Sequence, residues 1–212
     1  MNRCYKNTLY VAYLFSLLLL VLSGCSSTPD KEVQILTKQT PQQRTMHLAQ
    51  LQQWKVTGKI AFIEKKSRNS ATLSWQIDEK KDTQQLNLTS YLGINVLQLN
   101  SSDNSHEIKV DGKTYRGNNL AALVRSITGL TLPTHALTYW LKGIPYQEND
   151  IISYHATTKL PQTLSSTYNN ERWQVEYANY QQNNNYILAT KFSIKKDDLI
   201  IKIAINDWSI TH

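Results

Sequence analysis

The 212-residue sequence predicts a mainly β domain with a few short helices: a single curved antiparallel sheet, a half-open barrel, enclosing those helices. Three observations carry the prediction. Apolar and polar residues alternate at period two through many short stretches, turn residues separate those stretches, and the segments with helical spacing are short.

The first element is "PQQRTMHLAQLQQ", which has no helix breaker after Pro41 and a loose stripe of Met46, Leu48 and Leu51, so a short helix is expected. "WKVTGKIAFI" then sets Trp54, Val56, Gly58, Ile60 and Phe62 against Lys55, Thr57 and Lys59, the pattern of a half-buried strand. "ATLSWQI" repeats it with Ala71, Leu73, Trp75 and Ile77. "QLNLTS" and "INVLQLN" flank a turn, and "HEIKVDGKTYRG" carries Asp111-Gly112, a strong hairpin signal between two strand-like pieces. In the middle, Asn118 or Asn119 can cap a helix whose Leu120, Leu123, Val124 and Ile127 share one face and which Gly129 ends. "LPTHALTYWLKG" begins a further helix near Pro133, aligns Leu137, Trp140 and Leu141, and stops at Gly143. "RWQVEYANY", "ATKFSIKK" and "LIIKIAINDWSI" supply closing strands through Trp173, Val175, Tyr177, Phe192, Ile194, Ile201, Ile203, Ile205 and Trp208. A helix apolar on one side must bury that side, and the inner face of a bent sheet is the surface on offer.

The start of the chain has a different character. Arg3 and Lys6 precede an apolar run from Val11 to Leu22, and Ser23-Gly24 lead into Cys25, which together predict an export signal over residues 1–24. The run is short of the roughly 20 apolar residues that span a bilayer, so a permanent span is the weaker reading. "LSGC" resembles the bacterial lipoprotein signal motif, which makes Cys25 the expected lipidation site, carrying a covalent diacylglycerol and an N-acyl chain, with no other cofactor expected. Cys4 leaves with the signal, so the mature chain can form no internal disulfide. Residues 25–40 open with Ser26, Ser27, Thr28 and Pro29 and read as a flexible acylated tether, leaving 41–212 as one domain. Ser26 after the cysteine resembles the outer-membrane address, so the expected place is the periplasmic face of that membrane.

Taking Arg3 and Lys6 from the formal +7 leaves +5 on the mature chain. That balance suits acidic partners, either anionic lipid or an acidic protein surface, or serves solubility alone. No dense Lys/Arg stripe interleaves with aromatics, so nucleic acid is a poor candidate, and a monomer is expected. The histidines, His47, His106, His135, His155 and His212, show no metal-binding spacing, no GxSxG elbow occurs, and the carboxylates fall in turn-like or strand-edge places, so neither a metal nor catalysis is expected. "TSYLGIN" is unusual. A turn built on Gly93 sets Tyr91, Leu92 and Ile94 where Asn, Asp or Ser would be ordinary, and the residues alone leave open whether Leu92 packs on the core edge or reaches outward.

The order of "LSGC", "WKVTGKIAF", "ATLSW", the "YLG" turn, "LVRSITGLTLP", "LTYWLKGIP", "RWQVEYANY" and a last "NDW" resembles the LolB family of outer-membrane lipoproteins over essentially the whole mature chain. Tyr91 stands where that family often has a proline before Leu-Gly. The resemblance implies a half-open barrel whose helices lie over an apolar cavity, and a receptor that accepts client lipoproteins from a periplasmic carrier of the LolA type. It also implies a membrane-insertion loop, here Tyr91, Leu92, Gly93 and Ile94, that delivers acyl chains to outer-membrane phospholipid. Candidates for the cavity wall are Ile60, Phe62, Leu73, Trp75, Leu86 and Leu88 from the strands, Leu123, Ile127, Leu137 and Trp140 from the helices, and Trp173. Each has a rival reading as plain core, which periodicity cannot separate from a cavity wall. The alternatives to a receptor are a structural envelope tether without ligand transfer and, more remotely, a lipid-acting enzyme.

Overall fold

The computed structural model describes residues 38–211. The expected signal peptide 1–24, the lipidation site Cys25 and residues 25–37 of the expected tether lie outside the described residues. Helix α1 (Pro41–Ala49) leads into strands β1 (Gln53–Ile63), β2 (Arg68–Asp78), β3 (Thr83–Thr89), β4 (Asn95–Ser102), β5 (Ser105–Val110) and β6 (Lys113–Gly117). Helices α2 (Leu120–Thr128) and α3 (Thr134–Lys142) follow, and then β7 (Ile151–Tyr154), β8 (Pro161–Tyr168), β9 (Glu171–Asn183), β10 (Tyr186–Lys196) and β11 (Leu199–Ile210). The strands form one antiparallel sheet in the order β6-β5-β4-β3-β2-β1-β11-β10-β9-β8-β7. Among the described residues, only the β1–β11 pairing joins strands distant in the chain. The segment that carries α2 and α3 links the two edge strands, β6 and β7.

The period-two patterns become the two faces of this sheet. Trp54 and Val56 of β1, Leu73, Trp75 and Ile77 of β2, and Ile201, Ile203 and Ile205 of β11 are buried on the inner side, while Lys59, Lys202 and Lys191 face water. A bulge at Thr57/Gly58 lets β11 take an extra residue, so that both Ile205 and Trp208 point inward despite their odd spacing. Gly58 is required there: a Cβ would lie 2.1 Å from the Ala204 carbonyl oxygen. Trp208 then meets Trp54, which in turn meets Trp75, at ring separations of 5.3 and 5.8 Å, and the Trp208 indole donates to the Ala189 carbonyl at 3.1 Å.

The helix ends follow sequence chemistry. Thr40 and Gln43 form a reciprocal capping box before α1, Asn119 accepts from the Ala122 amide at 2.9 Å before α2, and Gly129 and Gly143 close α2 and α3 at positive φ. Two expectations need correction. Met46 of the expected inner stripe of α1 is 70% exposed; the buried side of α1 is Arg44 and Leu48, four residues apart. Strands β7 and β8 carry no clear apolar alternation and were not anticipated, because the inner positions of β8 include Ser166 beside Leu164 and Tyr168.

Candidate functional site

The concave side of the sheet is unevenly filled. Helix α3 packs on β10 and buries Ala136, Trp140 and Leu141, whereas α2 rests on β5 and β6 with only Leu120 fully buried. Between α2, the start of α3 and strands β1–β5 lies a cavity of about 310 Å³, within the usual range of about 300–1,000 Å³ for ligand pockets. Its wall is almost wholly aliphatic and aromatic.

The structure brings most of the sequence candidates together around this space. Ile60 and Phe62 of β1, Leu73 and Trp75 of β2, Leu86 and Leu88 of β3, Ile127 of α2 and Leu137 of α3 all line it. Leu97, Leu99, Ile108, Leu120, Val124, Leu130, Leu132, Ile201 and Ile203 complete the apolar wall and escaped the sequence reading, although Leu120 and Val124 share the Ile127 face of α2. Leu123, Trp140 and Trp173 do not line it. Leu123 turns toward β6 and lies over Gly117. Trp140 and Trp173 are buried against each other at 6.0 Å on the filled side, where the Trp140 carbonyl also accepts from the Tyr177 hydroxyl at 3.0 Å. Trp140 and Trp173 are packed core, because α3 fills the β9–β10 side of the hollow and leaves the β1–β5 side open, whereas Leu123 is half-buried on the β6 face of α2.

Two buried cations hold the end of α3. Arg44, 4% exposed, donates to the carbonyls of Gly143 at 2.9 Å, Lys142 at 3.2 Å and Ile187 at 3.2 Å, a favourable place for a positive charge at a helix C-terminus. Burial lowers the pKa of Arg44, opposed by the nearby Tyr180, Tyr177 and Tyr154, and a guanidinium remains charged in any case. Lys142, 1% exposed, pairs with Glu79 at 2.8 Å and donates to the Leu51 carbonyl at 3.3 Å. The end of α3 is thus tied to α1, to Leu51 just ahead of β1 and to Glu79, which follows β2. Sequence alone does not mark Arg44, which lies four residues before Leu48 in a helix poor in apolar residues and reads there as a solvent-facing side chain.

A second hollow of about 760 Å³ adjoins the first and shares Gln84, Leu120 and Thr134 with it. It is larger, but Asp78, Glu79, Asp82 and Asp103 line it, together with His106, whose pKa is lowered by desolvation and by His135. Hydrocarbon placed there would strip water from carboxylates, so of the two hollows the smaller, apolar one is the one whose lining suits an oily ligand.

The "YLG" turn joins β3 to β4 and projects from the sheet. Tyr91, Leu92 and Ile94 are 99, 79 and 64% exposed, an apolar tip with nothing of the described residues packed on it. Gly93 supplies the positive φ the turn demands. The loop pairs part of its own backbone: Gly93 donates to the Ser90 carbonyl at 2.9 Å, Ser90 to the Ile94 carbonyl at 2.8 Å, and Ile94 to the Ser90 hydroxyl at 3.2 Å. Pairing these three amides lowers the cost of bringing the turn into a medium without water, although the Tyr91 and Leu92 amides have no such partner among the described residues. The cavity reaches the same end of the sheet, through Phe62, Glu64 and Asn69 beside the β1–β2 turn.

One bent sheet, helices across its hollow side and an oily space between them define an open half-barrel shaped to enclose an apolar ligand. The family model for "Outer membrane lipoprotein LolB" matches residues 52–208, and the chain belongs to that family. The chain is 31% identical to the outer-membrane lipoprotein LolB of Pseudoalteromonas translucida, with 92% of this chain and 93% of that protein covered. It is also 31% identical to LolB of Shewanella frigidimarina, covering 90% and 89% respectively. Among solved structures, a LolA superfamily protein from Nitrosomonas europaea shares the fold with a TM-score of 0.51 at 7% identity, covering 82% of this chain and 94% of that one. No helix among the described residues is long and apolar enough to cross a membrane.

Proposed function

We propose that this chain is an outer-membrane lipoprotein receptor, held by lipid on Cys25, that takes acylated client lipoproteins from a LolA-like periplasmic carrier. It encloses their acyl chains in the apolar cavity and releases them into the inner leaflet of the outer membrane. The observation that carries this reading is the conjunction of an apolar cavity and an exposed apolar tip at one end of the same sheet. A tether has no use for either feature.

The energetics explain why such a receptor is needed. Exposing an acyl methylene to water costs about 0.8 kcal/mol, so the several tens of methylenes on a lipoprotein would cost on the order of tens of kcal/mol. Free diffusion is excluded. The chains must pass from one apolar enclosure to another, and no bond needs to be made or broken. Direction comes from affinity alone: each step runs to the tighter site, and about 1.4 kcal/mol gives tenfold bias. Admission displaces the shallowly held α2 more readily than α3, whose end is fixed by Arg44 and Lys142.

Handover is testable with the full mature chain in a Cys25→Ala form, which removes the proposed anchor and keeps the domain. Mixed with a donor carrier loaded with a labelled lipoprotein, it should strip the client and co-migrate with it on gel filtration. A client that stays with the donor at excess receptor would favour the tether.

A further inference from the structure

We propose that the β1–β2 turn is a cationic membrane contact that steers the apolar tip toward anionic phospholipid; the inference rests on the membrane-delivery reading above. The juxtaposition comes from strand register. The last β2–β3 pair is Thr72 with Thr89, but β2 stays paired with β1 as far as Arg68 with Ile63. The β1–β2 hairpin therefore runs on past the end of β3 for about 14 Å, at about 3.4 Å per residue, beside the loop that carries Tyr91, Leu92 and Ile94.

That hairpin end is "EKKSR", residues 64–68, exposed throughout. Its charges are unevenly matched. Glu64 accepts from the Ser67 hydroxyl at 3.0 Å, and Lys65 pairs with Asp198 of the β10–β11 turn at 2.8 Å. Lys66 and Arg68 have no ion-pair partner among the described residues. Lys195 and Lys196, one turn away, are matched to Glu176 and Glu171 at 2.6 Å. Glu64, held by Ser67, is the one acid within the turn, against Lys65, Lys66 and Arg68; Asp197 and Asp198 lie beyond β1, and Asp111 on the β5–β6 turn across the tip. The flank of the apolar tip on the β2 side is thus left cationic.

An apolar insertion loop beside unpaired cations is a two-signal membrane contact, in which each signal alone binds weakly. Each Lys or Arg near an anionic surface raises affinity about fivefold, so the pair should contribute roughly twenty- to thirtyfold at low salt. The attraction fades within a Debye length and with added salt. An unpaired charge on the rim costs nothing in water, so a solvated turn is the rival, and lipid composition separates the two.

The test uses the Cys25→Ala mature chain and a Lys66→Ser/Arg68→Ser version of it. Vesicles of phosphatidylethanolamine with phosphatidylglycerol are compared with vesicles of phosphatidylethanolamine with phosphatidylcholine, by co-sedimentation and by delivery of a bound client. The parent should prefer the anionic vesicles about twentyfold, and the preference should collapse in the double variant and in high salt while client uptake is unchanged. The charge-keeping Lys66→Arg/Arg68→Lys variant should behave as the parent. Equal binding of parent and double variant to anionic vesicles overturns the proposal, as does a double variant that binds them normally but loses handover from the donor, since the cations would then serve a protein partner. Failure of the delivery reading itself looks different: Leu92→Glu would deliver normally to both kinds of vesicle.

Discussion

Leu92→Glu should slow delivery of client to vesicles on the order of a hundredfold while leaving folding and client uptake as they are. Leu92 is 79% exposed on a loop whose hydrogen bonds run between backbone groups and Ser90, so its side chain supports nothing in the fold. Moving leucine into hydrocarbon is mildly favourable and moving a carboxylate there costs about 3 kcal/mol, which sets the size of the effect on a step limited by tip insertion. Gly93 keeps the turn geometry in the variant. The measurement is transfer from receptor to liposomes of a labelled lipoprotein, with unfolding followed on the same samples. Normal transfer by a well-folded Leu92→Glu protein would show that the tip has no part in release.

Trp140→Ala should cost about 3–5 kcal/mol of stability, the range for truncating a large aromatic in a filled core. Trp140 is completely buried between α3 and the sheet, with Trp173 at 6.0 Å and its indole 3.4 Å from the Asp150 carboxylate. Leu137, three residues earlier on the same helix, borders the hollow and has fewer atoms to lose contact with. Leu137→Ala should therefore cost less, about 2 kcal/mol, despite sharing the helix. Urea unfolding followed by circular dichroism gives the comparison. Equal losses would mean that α3 is packed alike on both sides, and the cavity would lose one of its walls.

The contrast between these two residues shows what the sequence could and could not say. Period-two alternation in β1, β2 and β11 and the glycine caps at Gly129 and Gly143 are local signals, and the strands and helix ends they imply are present. Leu137 and Trp140 carry the same helical signature, and which of them meets empty space depends on how far α3 fills the sheet, a tertiary fact with no local trace. Strand β8 was hidden because Ser166 occupies an inner position where alternation calls for an apolar residue. Arg44 was hidden for a related reason. A buried arginine that caps the far end of another helix looks, in sequence, like a solvent-facing one. The apolar tip at Tyr91 to Ile94 stands out because it breaks the turn rule, but the residues alone do not say whether it packs on the core edge or reaches outward; its exposure is a tertiary fact.

If the hollow accepts another molecule's acyl chain, Trp75 reports on it directly. Trp75 lines the cavity, with its indole 3.2 Å from Gln84, while Trp54, Trp140, Trp173 and Trp208 lie in the surrounding core. A lipopeptide carrying bromine on its acyl chain should quench tryptophan emission saturably, and the response should largely vanish in Trp75→Phe although the peptide still binds. Emission that stays constant at saturating peptide, or quenching undiminished in Trp75→Phe, would contradict the account.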